Sequence, residues 1–193
     1  MFQLVGLLLF DRQLISNEET VQKCPQAGAP FKSRAALDWL DLLSESNSIL
    51  CAILAVIHPG LYGAGRETLN RLRKAPGIER QDVLSRRTSV FNGVCLICNR
   101  DTPAHRDGNS VPHWYDLLVT LGEYNNCSLE LPGVGISLKY DPGTVVGLSG
   151  MALEHKVASF EGQRVCYAYF MRDNVHEWAG VPWGTWMNTS YYE

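Results

Sequence analysis

Between residues 87 and 171 the chain breaks into short runs rich in β-branched and aromatic residues, with turn residues at most junctions. The runs lie at 88–99, 115–123, 128–131, 135–140, 144–149, 152–158 and 164–171. Asn125-Asn126, Pro132-Gly133, Asp141-Pro142-Gly143, Gly150 and Glu161-Gly162 punctuate them. Glycine, proline and asparagine supply the backbone angles that reverse a chain, so this cadence predicts short antiparallel strands joined by tight connections.

The residues before position 87 read differently. Ser33 can cap a helix carrying Ala36, Leu37, Leu40 and Leu43, with Trp39 alongside, because a serine oxygen accepts from the free amides of a first helical turn. The stretch 48–58 is apolar nearly all round, which predicts a helix within the core, stopped at His58-Pro59-Gly60. A third helix is expected over 62–74, with Leu69 and Leu72 inward, the arginines outward, and Pro76-Gly77 closing it. The opening LVGLLLF suits a short strand or helix. A helical block followed by seven short strands predicts an α+β chain, a double-stranded β-helix of jelly-roll, cupin-like form packed by N-terminal helices.

At 193 residues the chain suits one domain. We read 1–86 as its mainly helical part, 87–171 as the β-helix core and 172–193 as a C-terminal wrap. In that wrap Trp178, Trp183, Trp186, Tyr191 and Tyr192 are read as packing residues, since aromatics have much apolar area to bury.

The charged fraction of 19% against an apolar fraction of 46% excludes a disordered chain. Cys24, Cys51, Cys95, Cys98, Cys127 and Cys166 follow no disulfide spacing and suit free thiols in a reducing compartment. Cys95 and Cys98 form a C-x-x-C, but no second pair completes a zinc site. LVGLLLF is too short to span a bilayer and lacks a basic flank, so neither anchor nor secretory signal is expected. The triplets Asn126-Cys127-Ser128 and Asn188-Thr189-Ser190 fit the glycosylation pattern by chance in this reading, and the protein is expected inside the cell.

A net charge of -3 argues against a generally basic nucleic-acid binder, yet from Arg66 to Arg106 nine basic residues stand against four acidic ones. That local excess suits a polyanionic substrate; a solvated helix face with loop arginines is the other reading.

The basic segment runs into His105-Arg106-Asp107, and His155 and Arg164 follow. Two imidazoles and one carboxylate are the donors of a facial triad, which leaves iron positions open for a co-substrate and dioxygen. On the expected strands His105 and Asp107 leave the end of one strand, and His155 faces them across the barrel mouth from a later one. Arg164 would open the next strand after the Glu161-Gly162 turn and grip a carboxylate in bidentate fashion. Each residue alone also fits a structural role, as a core histidine or an arginine paired with an internal acid. Together, in this order, they point to Fe(II) and 2-oxoglutarate.

The same order on this strand pattern resembles the Fe(II)/2-oxoglutarate dioxygenase superfamily. HRDGNS, DLLVTLGEY, LELPGVGISLKYDPGTVVGLSG, LEHKV and GQRVCYAYFMR together look like its TET/JBP branch, and especially its compact fungal members. The likeness runs over about residues 50–175 and includes His58, Pro59 and Tyr62.

That resemblance implies roles position by position. His105, Asp107 and His155 would hold Fe(II), Arg164 the distal carboxylate of 2-oxoglutarate and Arg100 its proximal end. Ser110 stands where relatives offer Asn or Asp to the target base, with Asn109 beside it, and Cys166 where many carry a small polar residue. Asn92, His113, Asp173 and His176 are further candidates for the base pocket; each also fits a turn or cap role. The implied reaction oxidises the methyl group of a modified base in DNA, most simply 5-methylcytosine to 5-hydroxymethylcytosine and beyond. The partners would be dioxygen and duplex DNA with the base flipped out. N6-methyladenine or a thymine methyl is an alternative substrate. A non-catalytic DNA-binding module is an alternative of another class. The implied location is nuclear or otherwise intracellular, with no membrane partner.

Overall fold

The computed structural model describes residues 4–8, 33–76, 81–108 and 110–192. Contacts divide the chain into two compact units, Met1–Gly6 with Val94–Phe170, and Leu7–Gly93 with Met171–Glu193. Helices fill the second unit. Helix α1 (Arg34–Leu42) starts as expected, with Ser33 Oγ accepting from the Ala36 N–H at 3.3 Å, and it buries Leu37 and Leu40. Helix α2 (Ser44–Ile57) buries Asn47, Leu50, Cys51 and Leu54 while Ile49 and Val56 stay exposed. Its apolar composition predicts burial all round. Instead one face is committed, with Asn47 Nδ2 donating to Thr88 Oγ1 at 3.2 Å and Cys51 Sγ accepting from the Val90 N–H at 3.5 Å.

The stop expected at 58–60 is a start as well. Helix α3 (Pro59–Lys74) follows α2 after His58 alone, and the His58 Nδ1 caps it by accepting from the Leu61 N–H at 3.2 Å. Pro59 fits a first turn, where its missing N–H would find no helical partner anyway. Two short helices escape a periodicity reading, α4 (Gln81–Arg86) and α5 (Asp173–Trp178). No single helix among the described residues is long and apolar enough to cross a membrane. Of the five C-terminal aromatics, Trp183, Trp186, Tyr191 and Tyr192 are exposed, so they bury less than the packing reading expects. Tyr192 still ties back to α2 through its hydroxyl, which donates to the Val56 carbonyl.

Much of the basic segment works inside this unit. Arg73 donates to the carbonyls of Leu84 at 3.2 Å and Arg87 at 2.6 Å, and Arg71 to those of Ala179 and Gly180 at 2.9 and 2.7 Å. Arg86 pairs with Asp41. Arg87 is buried, donates to the Val90 and Phe91 carbonyls, and is pushed down to about 9 by burial and then by Arg73. Counting charges along the sequence cannot separate such carbonyl-binding arginines from ones that face a ligand.

The other unit holds the sheets. One has five strands in the order β1 (Leu4–Leu8), β2 (Gly93–Cys98), β9 (Glu161–Phe170), β4 (Asp116–Asn125), β7 (Val145–Leu148). The other has four, β3 (Thr102–His105), β8 (His155–Val157), β5 (Ser128–Leu131), β6 (Ile136–Lys139). The long pair β4 and β9 is antiparallel from Leu117 opposite Tyr169 to Asn125 opposite Glu161. Tyr124, Cys127, Leu129, Tyr140, Leu148 and Val157 make its buried cluster, with Leu118, Val146, Leu153 and Phe160 against them. These two antiparallel sheets form the expected double-stranded β-helix. The Glu161-Gly162 turn is not found: both residues belong to β9. Gly162, at φ 116°, lies so close to β4 that a Cβ there would collide with the Glu123 carbonyl oxygen.

Candidate metal centre

The first donor comes from a strand that a proline interrupts. Pro103 lies in β3, the edge of the four-stranded sheet, where a residue lacking an N–H is tolerated. Thr102 faces Val157 and His105 faces His155, so the register slips within β3. Such a bulge re-aims the side chain that follows it. His105 thereby stands beside His155 on the adjacent strand, not across a barrel mouth as the strand order predicts, with ring centroids 4.2 Å apart.

Each imidazole is oriented by the carbonyl two residues before it. His105 Nδ1 meets the Pro103 carbonyl at 2.8 Å and His155 Nδ1 meets the Leu153 carbonyl at 3.1 Å. A carbonyl only accepts, so both Nδ1 atoms carry a proton, and in the neutral form of each ring the Nε2 atom is the one with a free lone pair. Those Nε2 atoms lie 3.7 and 4.0 Å from the two carboxylate oxygens of Asp107.

Asp107 is fixed by the loop that precedes β8. Its N–H donates to the Gly150 carbonyl at 2.9 Å, and a Cβ at Gly150 would collide with Asp107 Oδ2 and come within 2.9 Å of its Cγ. The buried Asp116 reaches the same spot, its Oδ2 3.1 Å from where that Cβ would be. The one group of three or more metal-capable side chains among the described residues is His105, Asp107 and His155, their donor atoms all within 4.8 Å of one another. His155 is buried, whereas His105 and Asp107 are partly exposed, so the cluster is open on one side. The donors fit a divalent iron: two neutral nitrogens and one carboxylate, with orienting carbonyls behind the imidazoles.

Arg164 lies within β9, not at its start, and is 1% exposed. Its Nε donates to Thr120 Oγ1 at 3.1 Å. The Tyr124 hydroxyl donates to the Tyr140 carbonyl at 2.8 Å and lies 2.8 Å from Thr120 Oγ1, which leaves the Thr120 proton for the Tyr124 oxygen. The guanidinium stands over the rings of Tyr140 at 5.0 Å and Phe160 at 5.6 Å. No carboxylate among the described residues comes within 4.0 Å of it. Burial pushes the Tyr124 and Tyr140 hydroxyls and the Cys166 thiol up, so these neighbours stay neutral. A buried cation without an anion is costly, so a carboxylate brought beside Arg164 would relieve that cost. The thiol of Cys95 on β2 is likewise raised, by burial first and then by Cys166, with Arg100 opposing and Asp107 adding.

The other expected site residues are spread wider. Arg100 is exposed just beyond β2. Ser110 is half-buried, and its hydroxyl is shielded without a hydrogen-bond partner among the described residues. His113 stands edge-on to Trp114 at 6.4 Å. Asn109 and Cys24 lie outside the described residues. Asn92, His176 and Asp173 belong to the helical unit. Asn92 is buried and clamps Arg172, accepting from its N–H at 2.7 Å and donating to its carbonyl at 3.4 Å. His176 is fully buried with Nδ1 3.2 Å from Thr68 Oγ1, and burial followed by the Arg87 charge pushes it down to about 4. Asp173 Oδ1 accepts from the Asn174 N–H at 2.7 Å. Asn92 and His176 thus each have an internal hydrogen-bond partner within that unit. The five described cysteines are free, with Cys51, Cys127 and Cys166 buried. Sequence reasoning passes over Thr120, Tyr124 and Tyr140, and takes Gly150 for a turn residue only.

One family model, Tet_JBP, described as the oxygenase domain of the 2OGFeDO superfamily, matches residues 17–173. No curated protein matches the chain. Among solved structures, NgTET1 in complex with 5mC DNA aligns with a TM-score of 0.57 at 15% identity, over 87% of this chain and 62% of that one. The fold is therefore shared, and the chain spans less than two thirds of that protein's length. A Cupin 2 conserved barrel domain protein from Salinispora arenicola CNS-205 aligns with a TM-score of 0.34 at 16% identity, over 46% of this chain and 69% of that one.

Proposed function

The chain belongs to the Tet_JBP family of oxygenase domains, in a superfamily that uses Fe(II) and 2-oxoglutarate, and from that premise we propose that its substrate is the methyl group of a modified base in DNA, 5-methylcytosine foremost. The observation that carries the co-substrate half of this reading is Arg164, a buried guanidinium with no acidic partner among the described residues, in the same unit as the His105, Asp107 and His155 donors. The substrate half rests on the family and on the DNA complex named for the similar structure.

In this reading His105, His155 and Asp107 would hold the iron. When bound, iron and 2-oxoglutarate would supply hydroxylation of an unactivated C–H bond by dioxygen, the co-substrate being converted to succinate and carbon dioxide. Arg164 takes the distal carboxylate of the co-substrate, its direction fixed through Thr120 and Tyr124. Arg100 contacts the proximal end. The aromatic faces of Tyr140 and Phe160 keep water from the guanidinium, which strengthens its hold on an anion. Ser110, with Asn109 beside it, is the proposed contact to the base, which must leave the duplex to reach a metal.

The test is anaerobic reconstitution with Fe(II) and 2-oxoglutarate, then oxygen and duplexes carrying 5-methylcytosine, N6-methyladenine or thymine, with nucleosides read by mass spectrometry. Hydroxymethylcytosine with matching succinate is the expected result. Oxidation of adenine or thymine substrates alone would replace 5-methylcytosine as the substrate. DNA binding without 2-oxoglutarate turnover would leave a binding module in place of an enzyme.

A further inference from the structure

Resting on the reading of Arg164 as the residue that grips 2-oxoglutarate, we propose that Asn99 is the positioning residue that aims it. Strand β2 ends at Cys98, and Asn99 follows at φ 48°, in the left-handed region that asparagine enters more readily than most residues. Two facing residues of a regular antiparallel pair exchange two backbone hydrogen bonds. Asn99 and Arg164 make that exchange with one replacement. The Asn99 N–H donates to the Arg164 carbonyl at 2.8 Å, but the Arg164 N–H is taken by the side chain, Asn99 Oδ1, at 2.7 Å. The amide thus supplies the acceptor that the left-handed turn withdraws from the ladder. Its Nδ2 donates onward to Gln163 Oε1.

The opposite flank is equally constrained. Gly122 on β4 faces Arg164, and a Cβ there would collide with the Gln163 carbonyl oxygen and lie 3.3 Å from the Arg164 Cα. The Arg164 backbone is therefore held from both neighbouring strands and its Nε from Thr120, with no acid setting its direction. A bidentate grip on a carboxylate requires the guanidinium plane to be fixed, and a small displacement of a positioning group is costly. Asn99 touches neither metal nor co-substrate in this scheme; it acts through Arg164.

The experiment compares the full wild-type chain with Asn99→Gly and Asn99→Asp. Glycine keeps the left-handed turn and drops the acceptor, whereas aspartate keeps the acceptor. Each protein is titrated without oxygen, first with Mn(II) and then with 2-oxoglutarate, by calorimetry. Losing one hydrogen bond's worth of alignment should raise the Kd for 2-oxoglutarate about tenfold in Asn99→Gly. Asn99→Asp should stay within roughly threefold of wild type, and Mn(II) affinity should match in all three. Equal 2-oxoglutarate affinity in Asn99→Gly and wild type overturns the assignment, whatever the melting temperature does. Should the glycine variant not fold, the aspartate variant decides: affinity near wild type supports the acceptor role, and a tenfold loss overturns it. A wild type that binds Mn(II) but no 2-oxoglutarate sinks the functional reading itself and takes this proposal with it.

Discussion

Acidification should unfold this protein partly through His176, a residue of the helical unit. The ring is fully buried with its Nδ1 3.2 Å from Thr68 Oγ1, and burial, then the Arg87 charge, push its pKa from 6.5 down to about 4. The unfolded chain takes up a proton near pH 6.5 that the folded chain refuses until about pH 4. The stability His176 contributes is therefore whole above pH 6.5 and is lost as pH falls through the folded value. A gap of about 2.5 pH units is worth roughly 3 kcal/mol, a large share of the ~5–15 kcal/mol that holds a typical domain together. The assay is urea unfolding followed by tryptophan fluorescence, at several pH values between about 7.5 and 4, for wild type and His176→Asn. Asparagine does not titrate and can still bond the Thr68 hydroxyl. Wild type should lose roughly 3 kcal/mol more than the variant across that window, the carboxylates being common to both. Parallel curves would refute the claim that the buried ring resists protonation.

A methyl group at Gly150 collides with the Asp107 carboxylate. Gly150→Ala should therefore weaken Mn(II) binding by about tenfold or more, measured by electron paramagnetic resonance, and unchanged affinity would show that Asp107 needs no such clearance. In the β unit Leu129 is fully buried among Tyr124, Tyr140 and Val157. Leu129→Ala should cost about 2–5 kcal/mol in urea unfolding, and a loss below ~1 kcal/mol would mean that the cluster is not the core of that unit.

How much of this was legible in the sequence depends on how local the cause is. The run 128–131 becomes β5 residue for residue because strand and turn chemistry agree on both sides of it. The triad could be listed from spacing alone, since each ligand is a distinctive residue type. Strand β3 could not, because four residues with a proline among them carry no strand signal and the edge position that tolerates Pro103 is a property of the sheet. Gly162 reads as a turn for the same reason: glycine marks both reversals and close approaches, and only the partner strand tells them apart. The surroundings of Arg164 were invisible because Thr120, Tyr124 and Tyr140 meet it through pairing between distant segments, and Phe160, four residues away, carries no signal of its own. The basic segment is mixed in its roles. Arg71, Arg73 and Arg87 serve carbonyls, and a charge count weighs them like any arginine.

The slipped register of β3 bears on more than the direction of His105. An open sheet edge is a template on which a second chain can add a strand, and cells meet that hazard as aggregation. Pro103 offers no donor, and the bulge spoils the even spacing that an incoming strand would need. The edge that carries His105 is therefore protected against strand addition by its own residues. At the far edge of the same sheet β6 keeps Ile136 and Leu138 exposed, and among its four residues only Lys139 offers charged protection. Variants that loosen this unit should therefore self-associate through β6 before they do so through β3.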